Sequence, residues 1–356
     1  MVFFKDLIGL LVKQGHTVDL ASNENEWEVP QYYREIGCKV HQISTSRSPI
    51  SKGNYAAIKE LKELIKSEKY DIVHCHTPNA SVVTRLACRK LRKTGALKVY
   101  YTAHGFHFHK GAPIKNWVPY YYVEKFCSHF TDKLITINQE DYNRAKNKFH
   151  AKKVEFVPGV GMDLSKFENV TVDRVEKRRE IGVPEDAFLM LSVGELSIRK
   201  NHQVIIKALA KLNNPNIHYV IAGDGPKKDY LLSLANSLGV SGQVHLLGLR
   251  KDIIELNLAS DVFCFPSKTE GMGIAALEAM ACERAIVTSN VHGINDYSDN
   301  GKTGFKCKPN DVDGFANAIL RLYNNPEMRC SMGKYNLDVV KKYDINNILK
   351  IMLEIY

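Results

Sequence analysis

A chain of 356 residues, 44% hydrophobic and 25% charged, is too long for one ordinary core and suits two α/β domains, while Gly 23 and Pro 12 give no compositional basis for a long disordered tract. No run reaches the about 18 apolar residues of a spanning helix, so the sequence is not that of a helical membrane-spanning protein. The net charge of +10 lies wholly in the first half: residues 1–158 carry 25 Lys+Arg against 15 Asp+Glu and residues 159–356 carry 24 against 24, which suits a solvated basic face, anionic lipid headgroups or an anionic acceptor, and not nucleic acid, because no aromatic-interleaved reading motif is present.

From residue 16 onward short apolar runs alternate with segments of helical period, the pattern of a parallel sheet with crossover helices. Strands are predicted at 16–22, 39–44, 71–77, 98–104, 133–138 and 153–159, and the second half repeats the plan at 188–196, 217–225, 244–248, 262–267 and 285–289. The expectation is two doubly wound, Rossmann-like domains facing a central cleft. The Gly-rich PGVGMDLSKF marks the linker, giving domains at 1–158 and 159–337, with a C-terminal helix at 338–356 whose return to the first or the second domain the sequence leaves open. The first domain opens on FFKDLIGLLVKQGHTV, a helix and then a strand, so the first strand and Gly-rich turn of a doubly wound sheet are missing from its expected place. The eight cysteines, at 38, 75, 88, 127, 264, 282, 307 and 330, form no CxxC pair and read as reduced core thiols.

The sharpest chemical signal is FPSKTEGMGIAALEAM at 265–280, in which a strand ends at Pro266, a Gly-containing loop holds Glu270, and a helix starting near Gly273 carries Glu278. The N–H groups of Gly271, Met272 and Gly273 and the positive end of the helix dipole suit a diphosphate. A carboxylate nearby suits neighbouring sugar hydroxyls, because its two oxygens accept two hydrogen bonds at once.

In these residues the chain resembles the family-4 retaining glycosyltransferases of GT-B fold, capsule and exopolysaccharide type, whose E-x7-E hallmark lies within PS-x-x-E-G-x-G-x-x-x-x-E-A-M-A; here PSKTEGMGIAALEAMA stands in register. VPGVGMDLSKF, SVGELSIRKNHQVIIKAL, IAGDGP, LGLRKDI and ASDVFCFPS extend the likeness over most of residues 1–340. The resemblance implies that Glu270 contacts the donor hexose, Glu278 the ribose, and Lys200 the diphosphate, whose charge grows as the glycosidic bond breaks. It implies Gly194 at the close turn of the donor site and Arg250 in the loop beside the base. The family arginine after that glycine is Glu195 here, and Arg199 stands ready to replace its charge.

In the first half, YTAHGFHFHKG leaves a strand for a loop at the sheet's carboxyl edge, and the resemblance places His104 there facing the donor sugar, as a hydrogen-bonding group. His104, His107 and His109 lack a nearby second-shell carboxylate, so no metal is expected, and His74 and His76, on one side of one strand, read as packing or acceptor contacts. NWVPYYYVEKF beside Lys115 and Lys125 suits a membrane interface, a lipid-linked acceptor or an aromatic core helix.

The whole implies transfer of a hexose or N-acetylhexosamine from a nucleoside diphosphate sugar, UDP foremost, to a saccharide or polyprenyl-diphosphate-linked acceptor, without a cofactor. The setting would be surface polysaccharide synthesis in the cytoplasm, at the inner face of an anionic membrane. A sugar-nucleotide epimerase and a non-catalytic binding subunit on the same scaffold are the other readings; the missing strand and Glu195 speak for the latter.

Overall fold

The computed structural model describes residues 4–26, 28–46, 51 and 53–356. The chain forms two compact units, residues 1–161 with 345–356 and residues 162–344. The first unit contains α1 (Lys5–Lys13), β1 (Leu20–Ser22), α2 (Gln31–Glu35), β2 (Val40–Gln42), α3 (Gly53–Glu68), β3 (Ile72–His76), α4 (Pro78–Lys93) and β4 (Lys98–Ala103). After β4 come α5 (Ile114–Asn116), a π turn over Trp117–Tyr121, α6 (Tyr122–Ser128), β5 (Lys133–Thr136), α7 (Gln139–Lys148) and β6 (Lys153–Phe156). Strands β3, β4, β5 and β6 form a parallel sheet in that order, and β1 pairs with β2 in a separate parallel sheet. Tyr70 ties the two sheets, donating to the Asp19 carboxylate at 2.6 Å, where His41 also bonds at 3.2 Å.

The sheet buries both faces. Val99, Tyr101 and Ala103 of β4 and Leu134 and Ile135 of β5 are nearly inaccessible, as expected of parallel strands covered by helices. The strand predicted at 16–22 is ladder-bonded only over Leu20–Ser22, because its partner β2 is equally short. One crosslink beneath the helices is fully desolvated: Arg85 of α4 donates to Glu124 of α6 at 2.8 Å, Tyr101 donates to the other carboxylate oxygen at 3.2 Å, and the guanidinium lies 4.3 Å from the Tyr101 ring centre.

The second unit contains α8 (Arg174–Glu180), β7 (Phe188–Val193), α9 (Gln203–Leu212), β8 (Ile217–Ala222), α10 (Lys228–Ser237), β9 (Val244–Gly248) and α11 (Ile253–Ala259). It continues through β10 (Val262–Phe265), α12 (Ile274–Ala281), β11 (Ala285–Ser289), β12 (Gly304–Cys307), α13 (Val312–Tyr323) and α14 (Pro326–Val340). The six strands are parallel in the order β12-β11-β10-β7-β8-β9. Direction reverses between β7 and β10, which are neighbours in the sheet, and loops leaving the carboxyl ends of two such strands diverge to leave a crevice. The sheet is buried: every residue of β8, β10 and β11 is buried.

Two expectations need correction. The C-terminal helix is not continuous: α14 ends at Val340, a 3-10 turn covers Lys341–Tyr343, and α15 (Ile345–Ile355) follows. Tyr343 is the cause, since its ring is buried in the second unit and its carbonyl accepts from Met162 N–H at 2.9 Å, which pins the chain where it leaves that unit. The apolar stripe of α15, with Ile348, Met352 and Ile355, then packs on Leu7, Leu11, Tyr100 and Val157 of the first unit. Strand β12 was not predicted, because four residues after a turn carry too short a pattern to register.

Glu124→Ala leaves the Arg85 guanidinium buried without its carboxylate. It is expected to cost about 3–5 kcal/mol in urea unfolding, with Glu124→Gln costing less.

Candidate active site

The crevice between the ends of β7 and β10 gathers most of the motif residues. From the β7 side come Gly194, Arg199 and Lys200; from the β10 side come Ser267, Glu270, Gly271 and Met272. The Glu270 carboxylate is the junction. One oxygen accepts from Lys200 Nζ at 2.7 Å, from Arg199 Nη1 at 2.6 Å and from Ser267 Oγ at 3.0 Å, and the Lys268 N–H donates to the Arg199 carbonyl at 2.8 Å. Burial pulls the Lys200 ammonium below its ordinary pKa while Glu270 opposes that shift, so the cation is kept in a partly dry setting by its carboxylate.

Backbone geometry makes this approach possible. Gly194 has φ +148°, and a Cβ there would meet Lys200 Cε at 3.0 Å and Nζ at 3.4 Å; a side chain would displace the ammonium. Asn201, left-handed at φ +58°, donates through Nδ2 to the Pro266 carbonyl at 3.1 Å and the Pro309 carbonyl at 2.7 Å, fixing the loop that carries Lys200 against the one that carries Glu270. Beneath it runs a buried chain: His202 Nδ1 bonds the Tyr219 hydroxyl at 3.0 Å, which donates to Ser192 Oγ at 2.8 Å, which donates to the Cys264 carbonyl at 2.5 Å. Gly293 N–H holds the Glu270 carbonyl at 3.1 Å from the far side. Asn201, His202 and Gly293 were not singled out from sequence, since their partners lie far along the chain.

Helix α12 starts just beyond this junction. Gly273 is its left-handed N-cap at φ +87°, and no side chain caps the helix, so its first amides keep their partial positive charge for a ligand. The Tyr297 hydroxyl is buried beside Gly273 without a hydrogen-bond partner among the described residues. Glu278 lies four residues beyond the first residue of α12, about 6 Å along its axis. It is half-buried, has no side-chain partner among the described residues, and is raised in pKa by burial. Such a carboxylate is ready to accept two hydroxyl donors.

Arg250 is not brought to this group. Its guanidinium is engaged with Asp252 (Nε to Oδ1, 2.7 Å) and Glu180, in a cluster shared with Lys177. Glu195 is exposed, and Arg199, not residue 195, supplies the second cation on Glu270.

In the first unit His104 lies just past β4, with its Nε2 3.3 Å from His76 Nδ1; the ring of His76 stacks at 4.3 Å on that of His74, which bonds Thr102 Oγ1 at 2.8 Å and the Tyr356 hydroxyl. His107 is turned outward against Tyr120 and His109 bonds the Lys110 carbonyl, so the loop does not gather its three histidines. Among the described residues no group of three His, Cys, Asp or Glu is placed to hold a metal ion, and no helix is long and apolar enough to cross a membrane.

Two Rossmann-like units, one with paired cations, a carboxylate and an uncapped helix at its strand-order reversal, define a GT-B glycosyltransferase. Residues 1–138 match the family model described as glycosyl transferase 4-like and residues 173–338 the one described as glycosyl transferases group 1. The chain is 36% identical over 346 residues to the putative glycosyltransferase EpsD of Bacillus subtilis (strain 168), covering 92% of this chain and 91% of EpsD. It is 31% identical over 305 residues to the UDP-Gal:alpha-D-GlcNAc-diphosphoundecaprenol alpha-1,3-galactosyltransferase of Escherichia coli, covering 82% and 78%. HepE of Anabaena, crystallised with UDP, shares the fold at TM-score 0.79 and 19% identity over 98% of this chain and 94% of its own. The protein therefore belongs to the family-4 glycosyltransferases, enzymes that use a nucleotide sugar.

The histidine cluster sets a pH limit. Burial lowers His74 to about 3 and His104 to about 4, and holds His76 well below the 6.5 of a free side chain. Unfolding releases histidines that take up protons below about pH 6.5, whereas the folded rings refuse them until near pH 4, so stability present above pH 6.5 is lost as pH falls through that window. Thermal melts between pH 7.5 and about 4.5 are expected to show the midpoint falling by several degrees, and His76→Gln is expected to flatten the slope.

Proposed function

We propose that this glycosyltransferase moves a hexose or N-acetylhexosamine from a UDP-sugar to a hydroxyl of a saccharide or lipid-linked acceptor, with retained anomeric configuration, in surface polysaccharide synthesis at the inner face of the cell membrane. The observation that carries the reading is the Glu270 junction with Lys200 and Arg199 beside the uncapped α12 and the unpartnered Glu278. In this reading Lys200, Arg199 and the amides of Gly271, Met272 and Gly273 receive the diphosphate, Glu270 turns to the hexose, and Glu278 binds the ribose. Arg250 takes part only through its loop.

Charge accumulates on the diphosphate as the glycosidic bond breaks, and a preformed cation pair stabilises that state more than the ground state. The acceptor hydroxyl attacks from the face the leaving group departs, and the diphosphate oxygen takes its proton; the transferred carbon thus keeps its configuration. The two cations and the helix amides carry the role a divalent ion has elsewhere. The relation to the Escherichia coli galactosyltransferase, named for a UDP-Gal donor and a diphosphoundecaprenol acceptor, supports UDP and a lipid-linked acceptor as first choices.

The test is nucleotide release from a panel of UDP-, GDP- and ADP-sugars, with and without lipid-linked acceptor. Release is expected from a UDP-sugar, raised by acceptor and unchanged by EDTA. Glu278→Ala is expected to raise the donor KM on the order of tenfold or more by removing a charge-assisted bond pair. Donor binding with no release under any condition would contradict catalysis.

A further inference from the structure

The exposed apolar side chains of the first unit are concentrated in one segment. Ile114 is 80% exposed, Val118 59%, Tyr122 65%, Val123 43% and Phe126 55%. Four of them recur at every fourth position. On a straight α-helix a four-residue step overshoots a full turn by about 40°, so such a row would wind round the helix. The π turn over Trp117–Tyr121 takes up the surplus, because its i→i+5 bonds lengthen the turn, and the row is drawn back toward one side.

The opposite side of the segment is anchored. Trp117, Tyr120 and Tyr121 pack on the cluster of Phe106, Phe108 and Phe149, with the Arg144 guanidinium 4.6 Å from the Trp117 ring centre. The segment is thus a supported ridge with its apolar row facing outward.

The charge around the ridge has one sign. Between residues 105 and 131 the sole acidic side chain is Glu124, and it is turned inward onto Arg85, while Lys110, Lys115 and Lys125 remain. Helix α4, which packs beside α6 through that same pair, has no acidic residue and ends in exposed Arg89, Lys90 and Lys93. Arg92 fixes this end by donating to the carbonyls of His129 and Thr131, at 3.0 and 3.1 Å. Apolar side chains bordered by cations, with Glu124 turned onto Arg85 and Asp132 onto Arg92 and Lys152, match a layer that is apolar below and anionic at its surface. A second copy of the chain on this face would set the same cations against each other, which costs affinity.

We infer that the outer face of residues 114–126, with the basic end of α4, is the surface by which this protein docks on an anionic lipid bilayer. Ile114, Val118, Tyr122 and Phe126 enter the headgroup layer, and Lys115, Lys125 and the α4 cations lie at the level of the lipid phosphates. The inference rests on the membrane setting proposed above and is independent of the donor chemistry. It assigns the first unit the task of holding the enzyme where a lipid-linked acceptor is presented.

Co-sedimentation of the full chain with phosphatidylcholine vesicles, alone and with about one-third phosphatidylglycerol, tests it. Binding is expected only to the anionic vesicles and is expected to weaken with salt. Tyr122→Ser with Phe126→Ser, and separately Lys115→Glu with Lys125→Glu, are each expected to weaken it on the order of tenfold or more. Leu249→Ser, at an exposed apolar site of the second unit, is expected to leave it unchanged. Lys115, Tyr122, Phe126 and Leu249 are exposed and Lys125 is half-buried, so the variants leave the buried core residues in place, and nucleotide release from the same samples reports separately on the donor site. Failure of the wild type to bind anionic vesicles, equal binding by the ridge variants, or loss of self-association instead of vesicle binding in those variants would overturn the assignment.

Discussion

The carboxylate of Glu270 is the contact on which the strand-end crevice of the second unit depends. Two cations from the loop after β7 and a hydroxyl from the loop after β10 converge on one oxygen, and so two loops that leave adjacent strands at the reversal of the sheet are tied together. The arrangement solves an electrostatic problem. An ammonium withdrawn from water, as Lys200 is, loses hydration that a single carboxylate at 2.7 Å largely replaces. In the proposed reading an arriving diphosphate takes over that partnership, and the cations are already in place at the moment charge develops. The glycine at 194 and the left-handed Asn201 belong to the same device, since each removes an obstacle or adds a tether that keeps Lys200 where Glu270 can reach it.

The two units carry different physical loads. The second has balanced charge overall and brings two cations, Arg199 and Lys200, onto one carboxylate at the carboxyl ends of its central strands. The first is basic across a surface: beside α4 and the ridge of residues 114–126, Glu124 is buried against Arg85 and Asp132 is paired with Arg92 and Lys152. That burial does two things at once, since the Arg85–Glu124 pair fixes α6 on α4 and leaves the exterior without negative charge. The histidines at the ends of β3 and β4 stay neutral by burial, so the basic character near neutral pH comes from lysine and arginine.

Much of this was legible in the sequence because buried parallel strands are short apolar runs, and each of the eleven predicted runs overlaps a strand, although β1 and β2 are short and partly exposed. The E-x7-E spacing with its glycines located the junction loop and α12 before any coordinates. What could not be read is long-range. Asn201 acts on carbonyls 65 and 108 residues away, and Gly293 closes on the Glu270 loop; neither carries a local pattern. Arg250 has the right neighbours in sequence, yet Glu180, contributed by α8, claims its guanidinium. The C-terminal segment has helical period throughout, and only the burial of Tyr343 breaks it. The ridge at 114–126 read equally as core or interface, and the π turn, which has no sequence signature of its own, goes with an apolar row turned to solvent.

The account turns on the cation pair at Glu270 being the diphosphate receiver. Titration calorimetry of UDP and of uridine against the wild type and Lys200→Met measures this directly. The account predicts that UDP binds the wild type far more tightly than uridine does, and that Lys200→Met removes on the order of tenfold or more of the UDP affinity while leaving uridine unaffected. Equal loss for both ligands, or no loss for UDP, would contradict it.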